Sequence, residues 1–350
     1  MKATYGMATR HGGSKTPPRE IVGAVYREGP KCWYEAIMSD DSIKWRTAAE
    51  SELASLEDNK TWELMARTGE VRPLHTKWVF KTKTDANGNV ERYKARLIAC
   101  GNEQVHGVNY TMTFSAVMDT TSTKVILVLS LLWGVPARHG DVSNAYVKAE
   151  TEPDMDIHLR APQGMAVNED KMREHGVKEK SQLVLWLRRS LYGLKQAGHL
   201  WTMTLHDELI KGGFVQCATD TCMNFKADKS GMTVVGVYVD ELLVTGTSKG
   251  RVDELFSMLI TLQIKDLGFV SKFLGMRIKH TPEGEYTRDQ EATVDELLEK
   301  FGLQDAHSVT VPIGPENENE IPGGDMPLPK ESSAGSASIK SFQSIVGWLL

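Results

Sequence analysis

The chain has 350 residues, of which 41% are apolar and 25% charged, with a formal net charge of −5. This is the composition of an ordinary soluble globular protein with room for two or three packed subdomains. It holds no apolar run of about 18 residues that would cross a membrane. It has no secretory h-region at its start, and its charge argues against a simple basic nucleic-acid binder while leaving a local basic groove possible on an acidic body.

Residues 1–40 carry Gly, Pro and Arg without periodicity and read as a disordered leader. From Ser42 the spacing of Ile43, Ala48, Ala49, Leu53 and Leu56, with Trp45 beside them, predicts a helix that Asn59 stops. A strand is expected at Thr61 to Met65. Lys77 to Thr84 and Val90 to Cys100 then flank Asp85-Ala86-Asn87-Gly88-Asn89, an Asn-Gly turn signal for a hairpin. Alternation places Arg92, Lys94 and Arg96 on one face of its second strand and Tyr93, Ala95, Leu97 and Ala99 on the other. Two readings fit that cationic row, an ordinary half-exposed strand and a surface that neutralises a polyanion.

A helix is expected from Thr120 to Leu132, ending before Gly134 and Pro136. A short strand then leads into Gly140-Asp141-Val142-Ser143-Asn144-Ala145-Tyr146. Val184 to Leu187 reads as a strand, and Ser190 to Lys211 as a helix closed by Gly212-Gly213. Thr233 to Val239 and Leu242 to Thr245 form the strongest hairpin, with Asp240-Glu241 as its turn. Helices are expected again at Lys249 to Leu262 and Ala292 to Phe301. Residues 313–340 read as a flexible linker, and 341–350 as the truncated start of another element. Cys32, Cys100, Cys217 and Cys222 contain no CxxC pair; with His199 and His206 they fit no zinc-finger spacing, and reduced thiols are the simpler reading.

Asp240 and Glu241 are adjacent carboxylates beside apolar strands, which is costly unless a cation neutralises them or the turn lies in solvent. Asp141 has a matching strand-end context. Carboxylates on neighbouring strands of one sheet can converge on hard cations such as Mg²⁺, which takes oxygen ligands and substrate phosphates.

Several blocks in order carry a family resemblance: Lys77-Trp78-Val79-Phe80-Lys81, Arg92 to Ala99, Thr113-Phe114-Ser115, Asp141 to Tyr146, Ser190-Leu191-Tyr192-Gly193-Leu194-Lys195-Gln196, Tyr238-Val239-Asp240, and Asp266-Leu267-Gly268 with Phe273-Leu274-Gly275. Over Trp45 to Pro312 the chain resembles the reverse transcriptase domain of Ty1/copia-type retrotransposon polyproteins. The resemblance implies an α+β right-hand polymerase whose palm is a ferredoxin-like sheet, spanning 41–312 with fingers at 41–138, palm at 139–247 and thumb or connection at 248–312. It implies catalytic carboxylates at Asp141, Asp240 and Glu241. Two Mg²⁺ ions, with Mn²⁺ as a substitute, would be held by Asp141, Asp240 and the Val142 carbonyl. Arg96, Lys81, Lys83 and Lys94 would bind the incoming nucleotide, Tyr146 would exclude a ribose 2′-hydroxyl, and Gln196 would lie beside nucleotide and template. Phe273, Leu274 and Gly275 stand where a primer grip would be. Taken singly, Tyr146 also reads as a core aromatic, Gln196 as a solvated helix residue and Phe273 as core.

The implied partners are an RNA template, a DNA primer, dNTP and the RNase H and integrase regions of a parent polyprotein, with no membrane. The implied setting is intracellular, in a cytoplasmic particle and the nucleus. The sequence departs from the family at Glu241, where a second aspartate is usual, at Ala116 for proline, and at Ala197-Gly198-His199 for Ala-Pro-Arg. The extra methylene at 241 displaces a carboxylate by roughly 1 Å, an error worth on the order of 10²-fold in rate. These departures fit a decayed nucleic-acid-binding remnant as the alternative to an active polymerase; a metal-dependent nuclease using Asp141, Asp240 and Glu241 would leave the fingers and gate blocks without a role.

Overall fold

The computed structural model describes residues 29–291 apart from 70, 85–89, 154, 282 and 283, together with 294, 295 and 298. Most of the expected leader, the Asn-Gly turn, most of the 292–301 helix, the linker and the final segment lie outside the described residues.

The leader was expected to run to residue 40, but α1 (Trp33–Met38) is a helix. It is anchored by aromatic burial that has no periodic signature: Trp33 lies 5.9 Å from Trp78 and 6.5 Å from Phe80, and Ala36 is fully buried. The following helix, α2 (Ser42–Asp58), buries Trp45, Ala49 and Leu56. Ile43, expected on that face, is 78% exposed, and Trp45 occupies the stripe instead. β1 (Trp62–Ala66) follows, and then the hairpin of β2 (Thr76–Thr84) and β3 (Val90–Ala99). Its register pairs Val79 with Arg96, Lys81 with Lys94 and Lys83 with Arg92. Facing residues of an antiparallel pair share a side, so Lys81, Arg92, Lys94 and Arg96 fall on one face. Phe80 and Tyr93 on the other face pack edge-on against Trp45 at 5.3 and 4.6 Å.

α3 (Thr120–Leu132) begins where Asp119 accepts a hydrogen bond from the Thr121 amide at 2.6 Å, an N-cap that satisfies an otherwise unpaired donor. β4 (Arg138–Val142), β5 (His158–Arg160), α4 (Glu169–Glu174) and β6 (Leu183–Leu187) come next. The helix expected from Ser190 starts only at Ala197, as α5 (Ala197–Lys211). Tertiary partners claim the backbone before it. The Ser190 amide donates to the Ala149 carbonyl and the Tyr192 carbonyl accepts from the Ala99 amide, both at 2.8 Å, while Gly193 sits at φ +90°.

The remaining elements are β7 (Val215–Gln216), β8 (Met223–Asp228), β9 (Gly231–Tyr238), β10 (Glu241–Gly246), α6 (Lys249–Met258), β11 (Ile264–Phe269), β12 (Lys272–Phe273), β13 (Met276–His280) and β14 (Tyr286–Asp289). Expected helix beyond Met258 is a 3₁₀ turn over Leu259–Leu262, ended by the left-handed Gln263.

The largest sheet has the order β11-β4-β10-β9-β8-β7. Within it β4, α5, β9, β10, α6 and β11 follow one another as a βαββαβ unit, with β5 and β6 inserted before α5 and β7 and β8 after it. Trp201 and Leu205 of α5, with Val252 and Leu255 of α6, pack on one face against Val142, Val235, Leu242 and Val244. Ile126 and Leu127 of α3, with Phe273 and Ile278 of the β12-β13-β14 sheet, pack on the other against Val234 and Leu243. A separate core joins the β2–β3 hairpin and α2 to the β1-β6-β5 sheet through Trp45, Phe80, Leu97, Leu159, Leu185 and Leu191. Ile157, Leu159, Leu185, Leu187, Leu191, Leu194 and Ala197 share the core of the hairpin, while α6 covers the large sheet and β11 is its edge strand. Among the described residues no helix is long and apolar enough to cross a membrane.

Candidate functional site

The β9–β10 register pairs Tyr238 with Glu241, so the turn consists of Val239 and Asp240, one residue earlier than expected. Val239 has φ +52°, a costly conformation for a β-branched residue and one that over-determined functional turns retain. Two bonds fix it: the Trp201 indole N–H donates to the Val239 carbonyl at 2.6 Å, and the Val142 amide donates to the Asp240 carbonyl at 2.8 Å. The shift puts Glu241 in the strand, directly opposite Asp141 on β4. On the other side of Asp141, in register, stands Lys265 of β11. Asp141, Glu241 and Lys265 therefore share one face at the end of the sheet, with Asp240 in the adjoining turn.

All three carboxylates are half-buried, open enough to admit a cation and shielded enough to favour one. Among the described residues no three His, Cys, Asp or Glu side chains enclose a metal by themselves. The donors are hard oxygens on adjacent strands, which suits Mg²⁺ or Mn²⁺ completed by substrate phosphates and water.

Beyond Asp141 the chain turns through Asn144 in the left-handed region (φ 56°, ψ 44°), whose side-chain amide donates to the Ser55 hydroxyl at 2.9 Å. This delivers Tyr146 on a 3₁₀ turn. Its ring lies 4.7 Å from that of Tyr192, and the Arg96 guanidinium sits 4.0 Å over the other ring's centroid. Burial pushes the Tyr192 phenol up to about 12, with Arg96 opposing and Asp240 adding to the shift. Burial, and then the Asp240 charge, raises Tyr146 in the same way, again against Arg96. The hairpin cation, two phenols and the turn aspartate thus interact across one continuous wall.

Two close approaches hold that wall together. The Ala99 amide donates to the Tyr192 carbonyl, and Gly101 and Gly193 have room for no side chain against the facing backbone. Lys81 is exposed and Lys94 half-buried on the face that carries Arg96. Behind them Glu52 accepts from the Leu97 amide at 3.3 Å. Burial raises its carboxyl, while the Leu97 hydrogen bond and then Arg96 and Lys94 pull it back.

Four further expected residues have these places. Gln196 is fully buried: its side chain accepts from the Gln104 side-chain amide at 3.0 Å and donates to the Asn109 carbonyl at 2.9 Å, so it braces the 104–109 loop. Phe273 is 1% exposed and core, and Leu274 and Gly275, both at positive φ, form the two-residue turn between β12 and β13. Tyr192, Gly193, His139 and Lys265 join the expected residues here. Tyr192 and Gly193 belong to the Ser190–Gln196 block, and His139 follows from period-2 alternation with Asp141.

Residues 59–315 match the family described as "Reverse transcriptase (RNA-dependent DNA polymerase)", and the chain belongs to that family. Its relatives are Pol polyproteins of Ty1/copia-type retrotransposons. It is 30% identical over 300 residues to the "Retrovirus-related Pol polyprotein from transposon TNT 1-94" of Nicotiana tabacum, covering 85% of this chain and 22% of that one. It is 29% identical over 318 residues to the Pol polyprotein from transposon RE1 of Arabidopsis thaliana, covering 89% and 21%. The chain thus spans about a fifth of the length of these curated relatives. A foamy viral protease-reverse transcriptase solved in complex with dsDNA aligns with 75% of this chain and 48% of its own, at 14% identity and a TM-score of 0.37.

Proposed function

We propose that the chain is an RNA-directed DNA polymerase that extends a DNA primer on an RNA template by two-metal phosphoryl transfer, as part of a longer polyprotein with RNase H and integrase regions. One observation carries the reading: Asp141 and Glu241 stand in register beside the Val239-Asp240 turn, and Arg96 lies over the Tyr192 ring that packs against Tyr146, with Asp240 acting on both phenols. The order β11-β4-β10-β9 with two helices on one face supports a ferredoxin-like palm in a right-hand polymerase, with the β2–β3 hairpin as fingers.

Asp141, Asp240 and the Val142 carbonyl would hold Mg²⁺ or Mn²⁺. When bound, two such ions supply electrostatic stabilisation of the attacking and leaving oxygens. The chain's own residues do the positioning. Arg96, with Lys81, Lys83 and Lys94 on the same hairpin face, receives the triphosphate by charge-assisted hydrogen bonds. The Tyr146 ring, backed by Tyr192, fills the space a ribose 2′-hydroxyl would need. Trp201 and Val142 lock the turn that aims Asp240, so the carboxylate needs little reorganisation during transfer. A primer grip would fall on β12 and β13, with Phe273 as its buried anchor. A cytoplasmic particle and the nucleus are the proposed settings.

The test is extension of a DNA primer on an RNA template with Mg²⁺ or Mn²⁺. The natural protein extends the primer and Asp141→Asn abolishes extension. No extension by the natural protein, with salt-sensitive template binding retained, refutes the polymerase and leaves a binding remnant.

A further inference from the structure

The structure gives Glu241, the residue that departs from the family's paired aspartates, a neighbour of its own. His139 precedes Asp141 by two positions on β4 and so shares its face. It stands opposite Leu243, two residues beyond Glu241 on β10. Its Nε2 lies 4.0 Å from the Glu241 Oε1, and the side chains are 13% and 34% exposed. That nitrogen is buried and has no hydrogen-bond partner, an expensive condition for an imidazole. The ring is held edge-on to Phe273, with centroids 5.7 Å apart and planes at 86°.

We propose that His139 is a positioning residue for Glu241. The Glu241 carboxylate is the acceptor for the otherwise unpaired Nε2–H, and a rotamer adjustment of roughly 1 Å closes the gap to hydrogen-bond length. The extra methylene is then taken up along the sheet face, toward His139, instead of pushing the carboxylate between Asp141 and Asp240. Phe273 keeps the imidazole from turning away, so the β12–β13 hairpin supports the carboxylates through His139. An aspartate at 241 is one methylene short of this partner. The inference rests on the reading of these carboxylates as a metal site, with Glu241 as a further ligand beside Asp141 and Asp240.

Calorimetric titration of the full chain with Mn²⁺ alone tests it, with no dependence on polymerase activity. His139→Leu is expected to weaken Mn²⁺ binding by about 10–100-fold, the usual effect of losing a group that orients a metal ligand. His139→Gln, which keeps an N–H donor, restores most of the affinity. In a Glu241→Ala background, His139→Leu changes the Kd by less than about twofold, because the pair acts as one unit. Equal losses in both backgrounds, or a Gln variant no better than Leu, overturn the positioning role. Asp141→Asn separates the two levels: if it leaves Mn²⁺ affinity unchanged, the metal site falls and this inference with it. Dependence on Asp141 with an additive His139 effect overturns the positioning role alone.

Discussion

Gly193→Ala is the substitution most directly set by the backbone. Gly193 has φ +90°, and a Cβ there falls well inside the 3.0 Å that real Cβ atoms respect against the Ala99 carbonyl oxygen, with the Ala99 nitrogen and carbonyl carbon at 3.1 and 3.2 Å. The neighbouring atoms are backbone of β3 and cannot rotate away. Left-handed strain contributes about 1–2 kcal/mol, and displacing packed backbone about 1–3 kcal/mol. The sum of about 2–5 kcal/mol is a large part of a typical stability of about 5–15 kcal/mol. At about 2–4 °C per kcal/mol, the melting temperature falls by about 4–20 °C. The control is Gly176→Ala, at φ +66° with nothing within 4 Å of the new Cβ, which carries the strain alone. Below the transition a second effect appears, because the displaced strand end carries the Ala99–Tyr192 hydrogen bond. Loss of the Arg96–Tyr192 stacking is worth about 0.5–2 kcal/mol, or about 2- to 30-fold in the KM for dNTP. Thermal melts of both variants and steady-state primer extension, or binding of a fluorescent dNTP, measure the two effects. Equal destabilisation at 193 and 176, or unchanged nucleotide affinity in folded Gly193→Ala, refutes the coupling of hairpin and turn through this contact.

Val239→Gly removes about 1–3 kcal/mol of turn strain against about 0.5–1 kcal/mol of added chain entropy, so the urea midpoint holds or rises while extension slows as Asp240 loses its fixed aim. Gln196→Leu leaves Gln104 and Asn109 short of a partner and costs about 1–3 kcal/mol. Because the side chain is buried, the melting temperature drops with little change in the KM for dNTP at permissive temperature, and a KM effect without destabilisation defeats that placement. The Ser230 hydroxyl and amide, and then the Arg251 guanidinium, hold Asp228 down at about 2 from an ordinary 3.8. A depressed carboxyl stabilises the fold above its unfolded value and loses that contribution as pH falls toward about 2, so Asp228→Asn flattens the acid limb of stability measured by urea titration across that window. Glu52 is raised by burial, so its ionised form is the disfavoured one and its contribution declines as pH rises through the folded value. Glu52→Gln keeps an acceptor for Leu97 and is expected to raise the urea midpoint at neutral pH, with the two proteins converging in acid.

Local pattern was enough where partners are near in sequence. Alternation in Arg92 to Ala99 matches the β2–β3 hairpin and its basic face, and the apolar run from Thr120 is α3 to the residue. It failed where distant partners decide. Trp33 is helical because of Trp78 and Phe80, and Ser190 to Gln196 stays unwound because Ala99 and Ala149 take its backbone bonds. Gln196 looked solvated because Gln104 and Asn109, its partners, are roughly 90 residues away in the chain.

The turn at Asp240 shows how much can hang on one position. Placed at Asp240-Glu241, as propensity suggests, the turn would leave Glu241 in a loop with no partner strand. Placed at Val239-Asp240, at the expense of a left-handed valine, it puts Glu241 in register with Asp141 and within 4.0 Å of His139. A one-residue slip reverses the face of every following side chain, and β10 is buried on both faces by different cores. The apolar residues Leu242, Leu243 and Val244 therefore fix the register, and the carboxylate follows. The extra methylene at 241 therefore acts on the space beside His139, because strand packing has already determined where the side chain begins.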